Sequence, residues 1–237
     1  MTGKPLADRV ALVTGASRGI GAAIAESLAA RGAHVVIVGR TTGGLEEVED
    51  RIHKAGGNAT IAPLDLVDGD SIGRLATAMA GRWKSLDMLV LNAATLGSLT
   101  PVSMLDAKEY AQVLTLNVGA QASLLQAFDP LLKGSDRARV IGITSSLGTS
   151  PRPFWGAYAS SKAAFEVLVN CYGLESANIS TIRTAIVDPG ATATKMRAKA
   201  FPGEDPARLK QPDAVGEAVA KLLVDDFETG FRMRVQA

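Results

Sequence analysis

Short runs rich in β-branched residues alternate along this chain with segments of helical period, and this alternation restricts the fold more than any other feature. The runs fall at Arg9 to Thr14, His34 to Gly39, Ala59 to Asp65, Met88 to Leu91, Arg139 to Thr144 and Thr181 to Val187, with a weaker one at Met233 to Val235. Helical stretches occupy Ile20 to Ala30, Leu45 to Ala55, Ser71 to Trp83, Ala107 to Leu132, Tyr158 to Ala177 and Asp213 to Val224. Strand–helix–strand repetition is the pattern of βαβ units, so the strands should be parallel with helices on both faces of one sheet. Most of the runs lack polar alternation, as strands covered on both sides should.

The punctuation agrees with this reading. Gly32, Gly56 with Gly57, and Gly134 stand where helix C-terminal caps are expected, and Asp106 and Asp213 where N-caps are expected. With 237 residues and no linker or repeat, residues 1–237 are expected to form a single domain with a full hydrophobic core. The one shift in composition is Lys195 to Pro212, rich in Pro, Lys and Arg; residues 195–212 are read as a loop or lid.

Charge and rare residues remove several functions. The 25 basic and 24 acidic side chains leave a net charge of +1, with no basic run to follow a phosphate backbone, so no nucleic-acid partner is expected. The apolar stretches are interrupted by Asn92, Gly142 and Asp188, so no membrane partner is expected, and the N-terminus carries no secretory pattern, so the expected location is cytoplasmic. Two histidines, His34 and His53, and one cysteine cannot supply a zinc site or a Ser-His-Asp triad; both histidines are read as surface or edge residues. Cys171, among apolar neighbours, is read as a buried, inert thiol.

Thr14-Gly15-Ala16-Ser17-Arg18-Gly19-Ile20-Gly21 follows the first strand and opens the first helix. Glycines there let the backbone turn and approach a pyrophosphate, whose charge meets free N–H groups and the positive end of the helix. The competing reading is a tight turn that binds nothing. A second motif, Tyr158-Ala159-Ser160-Ser161-Lys162, puts a phenol and an ammonium on one helix face. A free phenol titrates near pH ~10, so proton exchange at neutral pH needs a nearby cation, and Lys162 is placed to supply it; alone, such a pair is also a common solvated helix face. Ser145 ends the fifth strand, at the edge of an open α/β sheet where ligands bind; its hydroxyl either holds a carbonyl oxygen or caps the strand.

Together with Asn92-Ala93-Ala94, Asn117 and Pro189-Gly190-Ala191-Thr192-Ala193-Thr194, these motifs resemble the short-chain dehydrogenase/reductase family over nearly the whole chain. The finer likeness is to ordinary-length bacterial members similar to 3-oxoacyl-carrier-protein reductases. The resemblance implies an α/β, doubly wound Rossmann fold with a seven-stranded, mainly parallel sheet. It implies hydride transfer between a nicotinamide cofactor and a carbonyl or alcohol substrate, with Tyr158 as general acid or base. Ser145 would polarise the carbonyl, Lys162 would hold the nicotinamide ribose, and Asn117 would hold a water; the rival for Asn117 is a buried amide or helix-kink role. Cofactor contacts carried over are Gly15, Ser17, Arg18, Gly19, Ile20, Gly21, Arg40, Asp65, Leu66, Asn92, Ala93, Ala94, Tyr158, Lys162, Pro189, Gly190, Thr192 and Thr194. The family's usual Asn-Ala-Gly is here Asn92-Ala93-Ala94. For Asp65 a plain strand-end carboxylate remains the alternative.

The second strand ends Val38-Gly39-Arg40-Thr41, with no carboxylate to accept from a free ribose 2′-hydroxyl. Arg40 and Arg18 can instead converge on a 2′-phosphate, so NADP(H) is favoured over NAD(H). Leu147, Phe154, Trp155, Met196 and Phe201 are expected to face the substrate and favour an aliphatic or aromatic ketone, although Phe154 and Trp155 suit core packing equally. The two long helices resemble those that pair subunits in the family, which implies a homodimer or homotetramer. A cofactor-binding sensor or scaffold without turnover, an alcohol dehydrogenase and an epimerase using the same tyrosine remain the alternatives.

Overall fold

The computed structural model describes residues 3–236. Its strands are β1 (Val10–Thr14), β2 (His34–Gly39), β3 (Asn58–Pro63), β4 (Met88–Leu91), β5 (Arg139–Ile143), β6 (Arg183–Asp188) and β7 (Phe231–Arg234). They form one sheet in the order β3-β2-β1-β4-β5-β6-β7, and every neighbouring pair is parallel. The helices are α1 (Gly19–Ala30), α2 (Thr42–Lys54), α3 (Gly69–Ala80), α4 (Ala107–Leu114), α5 (Ala120–Lys133), α6 (Gly156–Ser176), α7 (Lys195–Ala200) and α8 (Pro212–Val224). This is the doubly wound Rossmann arrangement expected from the sequence.

Period-two alternation within each strand divides the core into two layers. Ala11 and Val13 of β1, with Val35 and Ile37 of β2, face α1, α2 and α8, where Ile24, Leu28, Leu45 and Val219 are fully buried. Val10 and Leu12, with Val36 and Val38, face α3, α5 and α6. Phe128 and Phe165 anchor this second layer with 0% and 1% exposure, and truncating either to alanine costs about 3–5 kcal/mol. The strand order reverses between β1 and β4, so the loops leaving their C-terminal ends diverge and open a crevice.

Several sequence expectations need correction. The stretch Ala107 to Leu132 is not one regular helix: a π turn at Thr115–Gly119 separates α4 from α5. Asp106 caps α4 by accepting from the Glu109 N–H, but Asp213 lies inside α8, which starts at Pro212 after Gln211. Proline suits this first helical position because its missing N–H would be unpaired there anyway. The stretch 195–212 is not simply a loop, since it contains α7 and a 3₁₀ turn at Pro206–Arg208. Cys171 is exposed on α6, not buried; its apolar neighbours belong to a helix with both a covered and an open face. His34 is half-buried against Trp83 and His53 is exposed.

Candidate active site

The crevice is a cleft of about 930 Å3 that runs along the C-terminal ends of the strands. At one end, Gly15 and Gly19 take φ values of 65° and 60°, a backbone region that costs glycine little and other residues much. Gly21 admits nothing larger: a Cβ there would lie 2.4 Å from the Gly15 carbonyl oxygen and 2.5 Å from Asn92 Nδ2. Thr14 ties the loop to β4, its hydroxyl accepting from the N–H groups of Asn92 (3.0 Å) and Ala93 (3.1 Å) and donating to the Val90 carbonyl. Asn92 Nδ2 returns a bond of 2.8 Å to the Thr14 carbonyl. Arg18, the residue before α1, makes no side-chain cap, which leaves the first amides of the helix open toward the cleft. Arg40 is exposed and stands 3.9 Å from Asp65.

At the other end, α6 brings Tyr158 and Lys162 beneath the cleft with only 8% and 3% exposure. Lys162 Nζ donates to the Ile143 carbonyl at 2.8 Å and lies 5.8 Å from the centre of the Tyr158 ring. Burial brings the Lys162 ammonium down to about 8, opposed by the Glu166 carboxylate one helical turn on. Glu166 is itself buried, accepting from Thr144 Oγ1 at 2.5 Å and from Arg232 at 2.5 and 3.2 Å. The Tyr158 phenol moves upward, through burial first and then the Asp188 carboxylate. Lys162 therefore does not dominate the phenol among the protein's own groups, contrary to the expectation from spacing alone.

Ser145 heads a 3₁₀ turn, its oxygen accepting from the Leu147 N–H at 3.3 Å, so it does cap the strand end. Its own O–H remains free to donate. Asn117 sits in the π turn, 1% exposed, behind the cleft rather than in its lining. Its amide donates to the Thr95 carbonyl and Ser161 Oγ, both at 2.9 Å, and accepts from the Thr95 N–H at 2.8 Å. These bonds latch the loop after β4 to the helix that carries Tyr158. A π turn supplies the offset, since one extra residue rotates Asn117 inward from an otherwise regular helix.

The sequence model of the family described as short chain dehydrogenase matches residues 9–205. The chain belongs to the short-chain dehydrogenase family. Among relatives of this short-chain dehydrogenase, the uncharacterized oxidoreductase YciK of Escherichia coli K12 is 37% identical over 93% of this chain and 88% of its own. A short chain dehydrogenase structure from Pseudomonas syringae superposes with a TM-score of 0.95 at 38% identity, covering 99% of this chain and 97% of that one. One from Escherichia coli CFT073, complexed with NADPH, gives 0.93 at 36% identity over the whole of both chains.

Apart from Asn117, every site residue singled out from the sequence lines this dehydrogenase's cleft: the Gly15 to Gly21 loop positions, Arg40, Asp65, Leu66, Asn92 to Ala94, Ser145, Tyr158, Lys162, Pro189, Gly190, Thr192 and Thr194. Leu147, Trp155, Met196 and Phe201 line it too, whereas Phe154 does not and is 55% exposed. Sequence reasoning missed Arg152, Lys195 and Lys199, which also line it. Lone cations in a loop or a short helix carry no periodic signal, although the four-residue spacing of the two lysines places them on one face of α7.

Proposed function

We propose that this short-chain dehydrogenase is an NADP(H)-dependent carbonyl reductase, with the buried Tyr158/Lys162 pair beside Ser145 as the observation that carries the reading. The fit to a dinucleotide rests on the uncapped start of α1 and on glycines that leave no Cβ between backbone and ligand. Asn92, Ala93 and Ala94 flank that loop, and Asp65 with Leu66 stand where an adenine would lie. Arg40 and Arg18 would receive a 2′-phosphate, and the relatives solved with NADP and NADPH support that choice. Pro189, Gly190, Thr192 and Thr194 would hold the nicotinamide end. When bound, the nicotinamide supplies the hydride.

The chain's own residues manage the carbonyl oxygen. Ser145 donates its free O–H to that oxygen, and Tyr158 delivers the proton that converts it to a hydroxyl, or removes it in the reverse direction. Lys162 spends one proton on Ile143 and keeps two for a ribose hydroxyl, while its charge favours the phenolate in the course of transfer. Asn117 keeps one acceptor lone pair for a water while holding the loop after β4 against α6. The exposed stripe Val167, Cys171 and Leu174 on α6 supports association through that face as a homodimer or homotetramer, checked by light scattering.

The test follows NADPH consumption with a panel of ketones, aldehydes and 3-oxoacyl thioesters, and NADH in parallel. Turnover of one carbonyl class with NADPH preferred supports the reductase. Tight NADPH binding without turnover of any member favours a cofactor-binding sensor.

A further inference from the structure

The substrate end of the cleft has an apolar body. Trp155 packs edge-on to Tyr158 at 6.0 Å and tilted against Phe201 at 5.7 Å. Met196 and Ala200 of α7 rest on the cluster of Leu96, Leu147, Tyr158 and Ala159. Around this apolar surface the charge is one-sided. The carboxylates lining the cleft are Asp65 and Asp188, and both are engaged: Asp65 faces Arg40, and Asp188 accepts from the Gly190 N–H and pairs with Arg234 at 3.6 Å. Arg197 is also engaged, closing on Glu204 at 2.5 and 2.6 Å and lying over the Phe201 ring.

Besides Arg18 at the glycine loop and Lys162 beneath the cleft, three lining cations have no carboxylate within ion-pair distance among the described residues: Arg152, Lys195 and Lys199. Lys195 follows Thr194, whose Cγ2 lies 3.6 Å from where a Cβ on Gly19 would stand, so it belongs to the pyrophosphate side. Lys199 stands one helical turn farther along α7. Arg152 lines the cleft from the segment between Ser145 and Tyr158, whose Trp155 meets Phe201 at the end of α7.

The backbone at Arg152 is tightly held. It lies between Pro151 and Pro153, which fix their own φ and restrict the residue before each. Its carbonyl accepts from the Trp155 N–H at 3.3 Å, and the Phe154 carbonyl accepts from the Thr100 N–H at 3.0 Å. Phe154 is held at φ 73°, an unusual conformation for a bulky side chain that only surrounding bonds maintain. These bonds fix the backbone that carries Arg152, while its exposed side chain is free to meet a ligand. The segment that carries α7 is fixed at its base, where Thr192 bridges Lys210 and the Ala193 N–H donates to the Lys210 carbonyl at 2.8 Å.

We propose that Arg152 and Lys199 form an anion-reading subsite, so that the substrate is a carbonyl compound with an apolar, ring-sized body and a carboxylate or phosphate at its far end. This rests on the reductase reading above and narrows the neutral ketone that the apolar residues alone suggested. The arginine fork supplies bidentate geometry, and Lys199 supplies a second charge from α7. Engagement of the anion would hold α7 over the body of the substrate.

The test titrates the NADP+-loaded protein with benzoate, phenyl phosphate and the neutral benzamide by calorimetry, in wild type and in Arg152→Gln, Lys199→Gln and the double variant. At least one anion is expected to bind about tenfold or more tightly than benzamide, as one charge-assisted contact would give. Each single substitution should reduce that ratio and the double variant should bring it close to one, and the anion that wins names carboxylate or phosphate. Equal affinity for benzamide and both anions overturns the proposal, as does no binding of either anion, or a ratio that survives the double variant. The titration needs no turnover. Lost anion preference in a protein that still reduces neutral carbonyls sinks the subsite alone, whereas intact preference without turnover on the carbonyl panel sinks the reductase reading.

Discussion

The two ends of the cleft are built from different materials. At the β1–α1 end, shape is set by backbone: glycines at positive φ, open amides and the Thr14–Asn92 bonds, with side chains kept small. At the β5–α6 end, the work falls to ionisable side chains whose titration burial has shifted, with Tyr158 pushed up and Lys162 down. Backbone recognition is intolerant of volume but indifferent to pH, whereas a buried proton-transfer site should show the reverse. Substitutions that separate volume from charge therefore test the contrast.

The largest effect belongs to Tyr158→Phe, which keeps the ring and removes the proton. Turnover should fall by about 10²–10⁴-fold, while NADPH titrated by fluorescence binds as before. Turnover near wild type would take the acid role from Tyr158. At the other end the volume test is Gly21→Ala, because the new methyl must displace the Gly15 carbonyl and Asn92 together. Overpacking of this kind costs about 1–3 kcal/mol, read by urea unfolding, and NADPH affinity should weaken at every pH alike. Unchanged stability and affinity would show that the loop yields more easily than its contacts indicate. Arg40→Asp comes next: a carboxylate beside Asp65 opposes a 2′-phosphate, so NADPH should lose roughly tenfold more affinity than NADH. Equal losses would move the phosphate contact away from β2.

The same division explains what the sequence disclosed. Glycine-dependent turns are legible because few other residues can take their place, so the loop from Gly15 to Gly21 and its position after β1 could be read directly. The Tyr158/Lys162 spacing was equally plain, but the protonation of the pair depends on a burial that no spacing encodes. Asn117 shows the limit in local structure: Leu114-Thr115-Leu116-Asn117 has an ordinary helical pattern, and the π turn follows from tertiary bonds to Thr95 and Ser161. Cys171 shows it in packing, because apolar neighbours on a helix do not say which side faces out. Arg152 carried no pattern; it stands out only once the fold places it on the cleft without a carboxylate partner.

The smallest expected effect is also the most selective for the charged end. Lys162 is faced by Tyr158 and Glu166 from its own helix and by the Ile143 carbonyl from β5, with Asp188 of β6 acting on the neighbouring Tyr158 phenol and Arg232 of β7 bound to Glu166. Its ammonium titrates at about 8 against an ordinary 10.5, so the cation is lost as pH rises through that lower value. If carbonyl reduction needs the cation, kcat/KM in the free enzyme should turn downward near there. Stability should move the other way: between the two values the unfolded chain holds a proton that the folded chain has released, so unfolding free energy contributed by this group rises with pH. Glu166→Gln keeps the volume and an acceptor for Thr144 but removes the charge that favours the ammonium. The downward break in kcat/KM should then shift to lower pH, with NADPH affinity at pH 6 little changed. A break that stays in place would mean that Glu166 serves only to bind Thr144 and Arg232, and that the charge of Lys162 is governed by its burial alone.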